Sequence, residues 1–204
     1  MLRRMGSATT VREPAQTRGI ERREALLDAA IRLLARQGAR AVTHRAVAEE
    51  AGTTHGAPRY YFATRERLLD EALRRLAERQ VEEVELLMRE PSNPDPRLRA
   101  ARLAAHLAGP LSSDRDATIA RYELFLEAAR RPDLRPALDA WGRAYERLLA
   151  AELTAGSDDP EQDAELLLNL LNGLLLRQAA TPRADFEAAV LRPAIERFLP
   201  PASV

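Results

Sequence analysis

The sequence predicts an all-α protein, and three observations predict it: Leu, Ala, Arg and Glu dominate, β-branched and aromatic residues are scarce, and apolar residues recur at helical spacing. Aromatics are 4% of the 204 residues, and no stretch alternates apolar and polar with the period of two that a half-buried strand needs. Gly and Pro cut the pattern into about nine helices, an N-terminal group of three followed by a longer bundle.

Residues 1–19 read as a disordered basic leader, with Gly6, Pro14 and small polar residues but no sustained periodicity. From Glu21, Leu27, Ile31 and Leu34 recur at i, i+4, i+7, which makes the first helix, stopped at Gly38. Thr43 has the short hydroxyl that caps a helix start, and Val47 with Ala46, Ala48 and Ala51 forms a two-turn helix ending at Gly52. Thr53 and Thr54 offer a second N-cap for a short third helix through Tyr60 and Tyr61, closed at Phe62. After Ala63 and Thr64, apolar residues from Leu68 to Leu87 keep helical spacing as far as Glu90, and the run Pro91–Pro96 breaks the chain. Further helices are expected at 97–108, 114–130, 134–155, 160–180 and 184–199. Gly109-Pro110, Arg131-Pro132, the stretch 155–160 and Thr181-Pro182 separate them, and Pro193 kinks the last. Residues 20–65 then form one domain and 66–204 another.

Charge divides the same way. Residues 1–67 hold 13 Arg against 7 Asp and Glu, a net of +6, while the remainder holds 18 against 24, a net of −6. A basic module supplies the counterion release that drives binding to nucleic-acid phosphates, and an acidic remainder stays off them. There is no cysteine, so disulfides and thiolate metal sites are excluded and a reducing, cytoplasmic setting fits. No apolar run is long enough to span a bilayer, so no membrane partner is expected. His44, His55 and His106 are scattered without metal-ligand spacing. With no nucleophile elbow, phosphate-cradling loop or placed carboxylate pair, neither enzyme activity nor a cofactor is expected.

Two short helices joined at Gly52 and braced by a third satisfy the requirement for a helix-turn-helix. A buried αα-hairpin has the same outline but would carry leucines where this segment has Thr43, His44, Arg45, Thr54, His55, Arg59, Tyr60, Tyr61, Thr64 and Arg65. The run Thr43-His-Arg-Ala-Val-Ala-Glu-Glu-Ala-Gly52, Thr53-Thr-His-Gly-Ala-Pro-Arg-Tyr-Tyr-Phe62, Ala63-Thr-Arg-Glu-Arg-Leu-Leu69 resembles the DNA-binding signature of the TetR/AcrR family. That resemblance implies that His55, Gly56 and Arg59, joined by Arg45, face base edges of double-stranded operator DNA. It also implies phosphate contacts from Thr43, Thr54, Tyr60, Tyr61 and Arg65. Pro58-Arg59 departs from the family's usual Leu-Tyr: the proline removes a backbone donor, and the arginine alters base preference.

The helix at 160–180 is leucine-rich nearly all round, which calls for cover on two sides, by its own domain and by a second copy. Leu167, Leu170, Leu171 and Leu174, with Phe186, Val190 and Phe198 of the last helix, are the expected homodimer interface, an arrangement the resemblance also implies. Tyr122, Phe125, Trp141 and Tyr145, with His106, Asn169 and Asn172, are candidates for a pocket taking a small-molecule effector. Ordinary core packing is the competing reading of each. The resulting expectation is a ligand-responsive, homodimeric repressor. A small-molecule-binding bundle with a vestigial DNA-binding head, and an activator of the same fold, are the alternatives.

Overall fold

The computed structural model describes residues 15–89, 93, 95–113, 115–153 and 157–199. Among them are nine α-helices and no strand: α1 (Ala15–Gln37), α2 (His44–Glu50), α3 (Ala57–Tyr61), α4 (Arg65–Arg89), α5 (Pro96–Ser113), α6 (Arg115–Arg130), α7 (Arg135–Leu153), α8 (Pro160–Ala180) and α9 (Arg192–Glu196). No helix among the described residues is long and apolar enough to cross a membrane.

The helix ends follow local chemistry. Thr43 caps α2, its hydroxyl oxygen accepting from the Ala46 N–H at 3.2 Å. Gly52 then turns the chain at φ 62°, where a side chain is strained, and the Thr53 N–H returns to the Ala48 carbonyl. Thr64 caps α4, and Asp159, followed by Pro160 in the first turn, caps α8.

Four expectations need correcting. Helix α1 starts at Ala15, so residues 15–19 belong to it and not to the leader; Ala15, Gln16 and Arg18 are good helix formers that extend the pattern backwards. The rest of the leader, 1–14, lies outside the described residues. Gly109-Pro110 does not end α5, which continues to Ser113 with Pro110 inside it. Neither Thr53 nor Thr54 caps α3: it starts at Ala57, preceded by Gly56 with no side-chain cap. The last helix is split, with a π-helical turn at Glu187–Leu191 just before α9. Pro193 has no N–H and its ring crowds the carbonyl four residues back, which favours the wider i→i+5 turn; the kink expected at this proline takes that form.

The core runs without a break from the head into the bundle. One stripe of α4, comprising Leu68, Leu69, Ala72, Leu73, Leu76, Ala77, Val84 and Leu87, is buried along its length. Helix α4 packs on α1 in the head and on α7 and α6 in the bundle, and α1 also packs directly on α6. The head is therefore rigidly braced, and any shift of α6 or α7 reaches it through packed side chains.

Candidate nucleic-acid interface and ligand cavity

Helix α3 is short, and its inner side is fixed by three contacts. Pro58 is buried in the first turn, where a backbone N–H has no partner within the helix, so the proline removes nothing the helix needs. The turn keeps its hydrogen bonds: the Tyr60 N–H reaches the Gly56 carbonyl and the Phe62 N–H the Pro58 carbonyl. Phe62 is fully buried, with the Arg23 guanidinium 5.5 Å from its ring centre. His44, expected to face outward, instead turns its Nε2 to the Phe62 carbonyl at 2.9 Å and ties the start of α2 to the end of α3.

The outer side is free. Thr54, His55, Gly56, Arg59 and Tyr60 are all exposed, Tyr60 at 84%. Arg59 has no ion pair or hydrogen bond among the described residues. A Cβ on Gly56 would meet nothing within 4 Å and its φ is −79°, so the fold has no need of glycine there. Arg45 is exposed and among the described residues holds only Glu49, at 2.9 Å and one turn away. Thr43 is half-buried beside them, and because its oxygen accepts the capping bond its own proton is left to donate.

Two members of the expected phosphate set differ. Arg65 is half-buried and donates to the Ala39 carbonyl, so it secures the turn after α1 and offers charge more than a free fork. Tyr61 is half-buried, edge-on to Tyr60, and lines a groove with Arg18 and Arg22 of α1. Arg18 was missed because residues up to 19 were read as leader, and Arg22 because nothing in the spacing of the first helix set it apart from its other arginines. Glu50 braces α2 on α1 through Arg32 at 2.7 Å and through Arg36.

Ion pairs also clamp the head to α4. Asp28 of α1 accepts from Arg75 at 2.9 Å and pairs with Arg79 at 2.7 Å, Glu24 lies 3.3 Å from Arg75, and Arg23 pairs with Glu71. Burial alone would raise the Asp28 carboxyl, but the hydrogen bonds and charges of Arg75 and Arg79 outweigh it and hold the group below its usual value. A lowered carboxylate stabilises the fold above its unfolded-state value and loses that contribution as pH falls through the folded-state value. Asp28→Asn is therefore expected to cost about 1 kcal/mol near neutrality. Urea unfolding should show the difference from the parent vanishing in acid; a difference that persists there contradicts the ion-pair origin.

In the bundle, the expected aromatics form a continuous series. Tyr122 stacks on Phe125 at 6.2 Å, Phe125 meets Trp141 edge-on at 5.2 Å, Trp141 meets Tyr145 at 6.0 Å, and Tyr145 lies 6.4 Å from His106. Phe125, Trp141, Tyr145 and Asn172 line a cavity of ≈ 30 Å³. Tyr122 stands behind Phe125, its hydroxyl donating to the Asn172 carbonyl at 2.9 Å, and the Tyr145 hydroxyl lies 3.4 Å from His106 Nε2. Burial pushes both phenols up to about 12, against the pull of Arg121. Asn169 was assigned wrongly: it is exposed on the outer side of α8, away from the cavity. Arg121, missed in the sequence, lines the cavity while only 7% exposed.

The expected dimer residues also divide. Leu167 and Leu171 are 1% exposed and Phe186 is buried, all within this chain's own core, so none can serve a partner's surface. Leu170 is exposed, and Leu174, Val190 and Phe198 are half-buried. The exposed stripe of α8 is Leu166, Leu170, Gly173 and Leu176; Leu166 and Leu176 were not expected there.

A family model described as "Bacterial regulatory proteins, tetR family" matches residues 26–72, and one described as "Tetracyclin repressor-like, C-terminal domain" matches residues 94–201. The chain is 30% identical over 161 residues, 78% of each protein, to the HTH-type transcriptional regulator BetI of Rhizobium meliloti (strain 1021). It is similar to the structure of a TetR-family member from Streptomyces coelicolor A3, with 34% identity and a TM-score of 0.70, covering 88% of this chain and 99% of that one. It is also similar to the multidrug binding protein EbrR complexed with malachite green, with 34% identity, a TM-score of 0.65 and the same two coverages. In the EbrR complex with proflavin the identity is 32% and the TM-score 0.62, over 87% of this chain and 99% of that one. Both the helix-turn-helix and the bundle behind it are matched, and the chain belongs to the TetR family of bacterial transcriptional regulators, which are not enzymes.

Proposed function

We propose that this regulator is a repressor that binds a near-palindromic operator as a homodimer in the cytoplasm and is released when a small molecule enters the aromatic cavity. The observation that carries the DNA-binding surface is the outer side of α3 and of the turn before it: Arg59, His55 and Gly56 are exposed, and among the described residues the side chains of Arg59 and His55 make no hydrogen bond or ion pair while Gly56 has open space where a Cβ would stand. Arg59 can grip a guanine bidentately, His55 reads a neighbouring base edge, and Gly56 lets the backbone come close. Arg45 joins them, since an exposed pair one turn apart is worth only a few tenths of a kcal/mol and gives way easily. Thr43, Thr54, Tyr60 and Tyr61, with charge from Arg65, Arg18 and Arg22, hold phosphates and set the register.

One such helix reads too few bases alone. The exposed leucine stripe of α8, completed by the half-buried Leu174, Val190 and Phe198, offers the apolar face that a two-fold partner covers. Two-fold pairing then sets the recognition helices roughly 34–36 Å apart, one turn of DNA.

The cavity as it stands holds about one or two waters. An effector must therefore part α6, α7 and α8, and α4, packed on both α6 and α7, carries that displacement to the head. EbrR, solved with proflavin and with malachite green, supports an aromatic small-molecule occupant here. A ligand that favours the parted arrangement weakens operator binding by its difference in affinity, and DNA weakens the ligand equally.

Fluorescence anisotropy with labelled duplexes from the DNA flanking the gene tests the reading. Expected is a duplex bound far more tightly than random sequence of the same length, with affinity falling steeply as salt rises. Equal affinity for every duplex refutes it.

A further inference from the structure

The cavity wall holds a cation that DNA binding does not use. Arg121 of α6 is buried, and its guanidinium donates to Gln80 Oε1 at 3.2 Å and Thr118 Oγ1 at 3.1 Å, both neutral acceptors. Among the described residues no carboxylate pairs with it. The nearest acidic link is indirect: Gln80 donates through Nε2 to the exposed Glu83 at 3.1 Å, which orients the amide oxygen toward Arg121; the Glu83 charge is felt as far as Tyr145 but makes no direct pair with the guanidinium. The neighbouring phenols cannot balance it, since burial keeps Tyr122 and Tyr145 protonated up to about 12. Arginine has no neutral form to retreat to. A second donor points the same way: Trp141 Nε1 is buried on the same wall with no acceptor among the described residues.

The other lining side chains are apolar except Asn172 and the hydroxyl of Tyr145, so the cavity combines an aromatic and aliphatic surface with buried donors and a guanidinium that no carboxylate among the described residues pairs directly. A cationic ligand would add like charge to a desolvated site, and a neutral one would leave the guanidinium as it is. A carboxylate matches the guanidinium fork in shape as well as charge. Resting on the reading of this cavity as the effector site, we infer that the effector is a flat apolar carboxylate whose anion pairs with Arg121 while its body lies against Phe125, Trp141 and Tyr145.

Trp141 is the only tryptophan of the chain, so its emission reports on this cavity directly. Matched probes with one body and three charges separate the possibilities: biphenylacetate, biphenylacetamide and biphenylmethylammonium, titrated into the full-length protein and checked by calorimetry. Expected is saturable quenching by the acetate with an affinity about tenfold or more above that of the amide, and no quenching by the ammonium. In Arg121→Met the acetate should fall to the level of the amide while amide binding stays; in Arg121→Lys, which keeps the charge but loses the fork, part of the preference should remain. Circular dichroism establishes that each variant is folded, and if Arg121→Met does not fold, an unchanged acetate preference in Arg121→Lys stands against the inference. Amide or ammonium binding as tight as the acetate, or a charge order that survives Arg121→Met, overturns the carboxylate assignment and leaves the cavity as the effector site. Silence of Trp141 toward all three probes, with no heat of binding, overturns the assignment and the effector-site reading together.

Discussion

Replacing Arg59 by alanine is expected to lower the affinity of the dimer for its operator about thirtyfold or more, with fold and dimer intact. A bidentate arginine–guanine contact is worth about 1–3 kcal/mol of discrimination, and a two-fold complex carries two. The side chain is exposed and unengaged in the free protein, so its removal disturbs nothing else. Binding to random duplex should fall much less, since only one positive charge per subunit is lost from the electrostatic contribution. Anisotropy on operator and random duplexes at one salt concentration separates the two. Operator affinity equal to the parent's would exclude base reading by Arg59.

The second large effect concerns α8. Leu166→Glu with Leu170→Glu should convert the dimer to a folded monomer, read by analytical ultracentrifugation, with operator binding lost at the same protein concentration. Burying a leucine contributes about 1.5–3 kcal/mol, and a two-fold interface loses four of them while bringing like charges together. A weakening of dimerisation by more than a hundredfold, about 3 kcal/mol, is therefore the least expected. Both side chains are more than 40% exposed in the subunit, so the helical content should hold. Leu167→Glu or Leu171→Glu should do the reverse and unfold the subunit, because each would place a charge in its own core. A double variant at 166 and 170 that still sediments as a dimer would move the interface elsewhere.

The contrast between those leucines marks what the sequence could and could not convey. Helix α8 was legible to its ends because Asp159-Pro160 and Thr181-Pro182 punctuate it, but leucines on both sides leave its inner and outer faces degenerate. Periodicity assigns a face only where one side is polar, as on α4. The helix-turn-helix was legible because polar residues stood where a buried hairpin needs leucines. His44 escaped that logic, since an exposed imidazole and one bound to a carbonyl look alike in sequence. Pro110 and the split before Pro193 depended on whether neighbouring packing tolerates a missing donor, which no local pattern encodes. Arg121 was the costliest omission. Its signal was a charged residue among Thr118, Ala120 and Leu124, all buried, matched by Gln80 between Ala77 and Val84 on α4: two polar residues in core register on helices that turn out to be neighbours.

Selection of bound duplexes from a random pool by the full-length protein tests most directly whether α3 reads DNA in duplicate. Enrichment of an inverted repeat with half-sites one helical turn apart, guanine prominent in each half and lost from the Arg59→Ala selection, is the expected result. A pool that stays random through successive rounds, or one that yields only an isolated half-site, would contradict it.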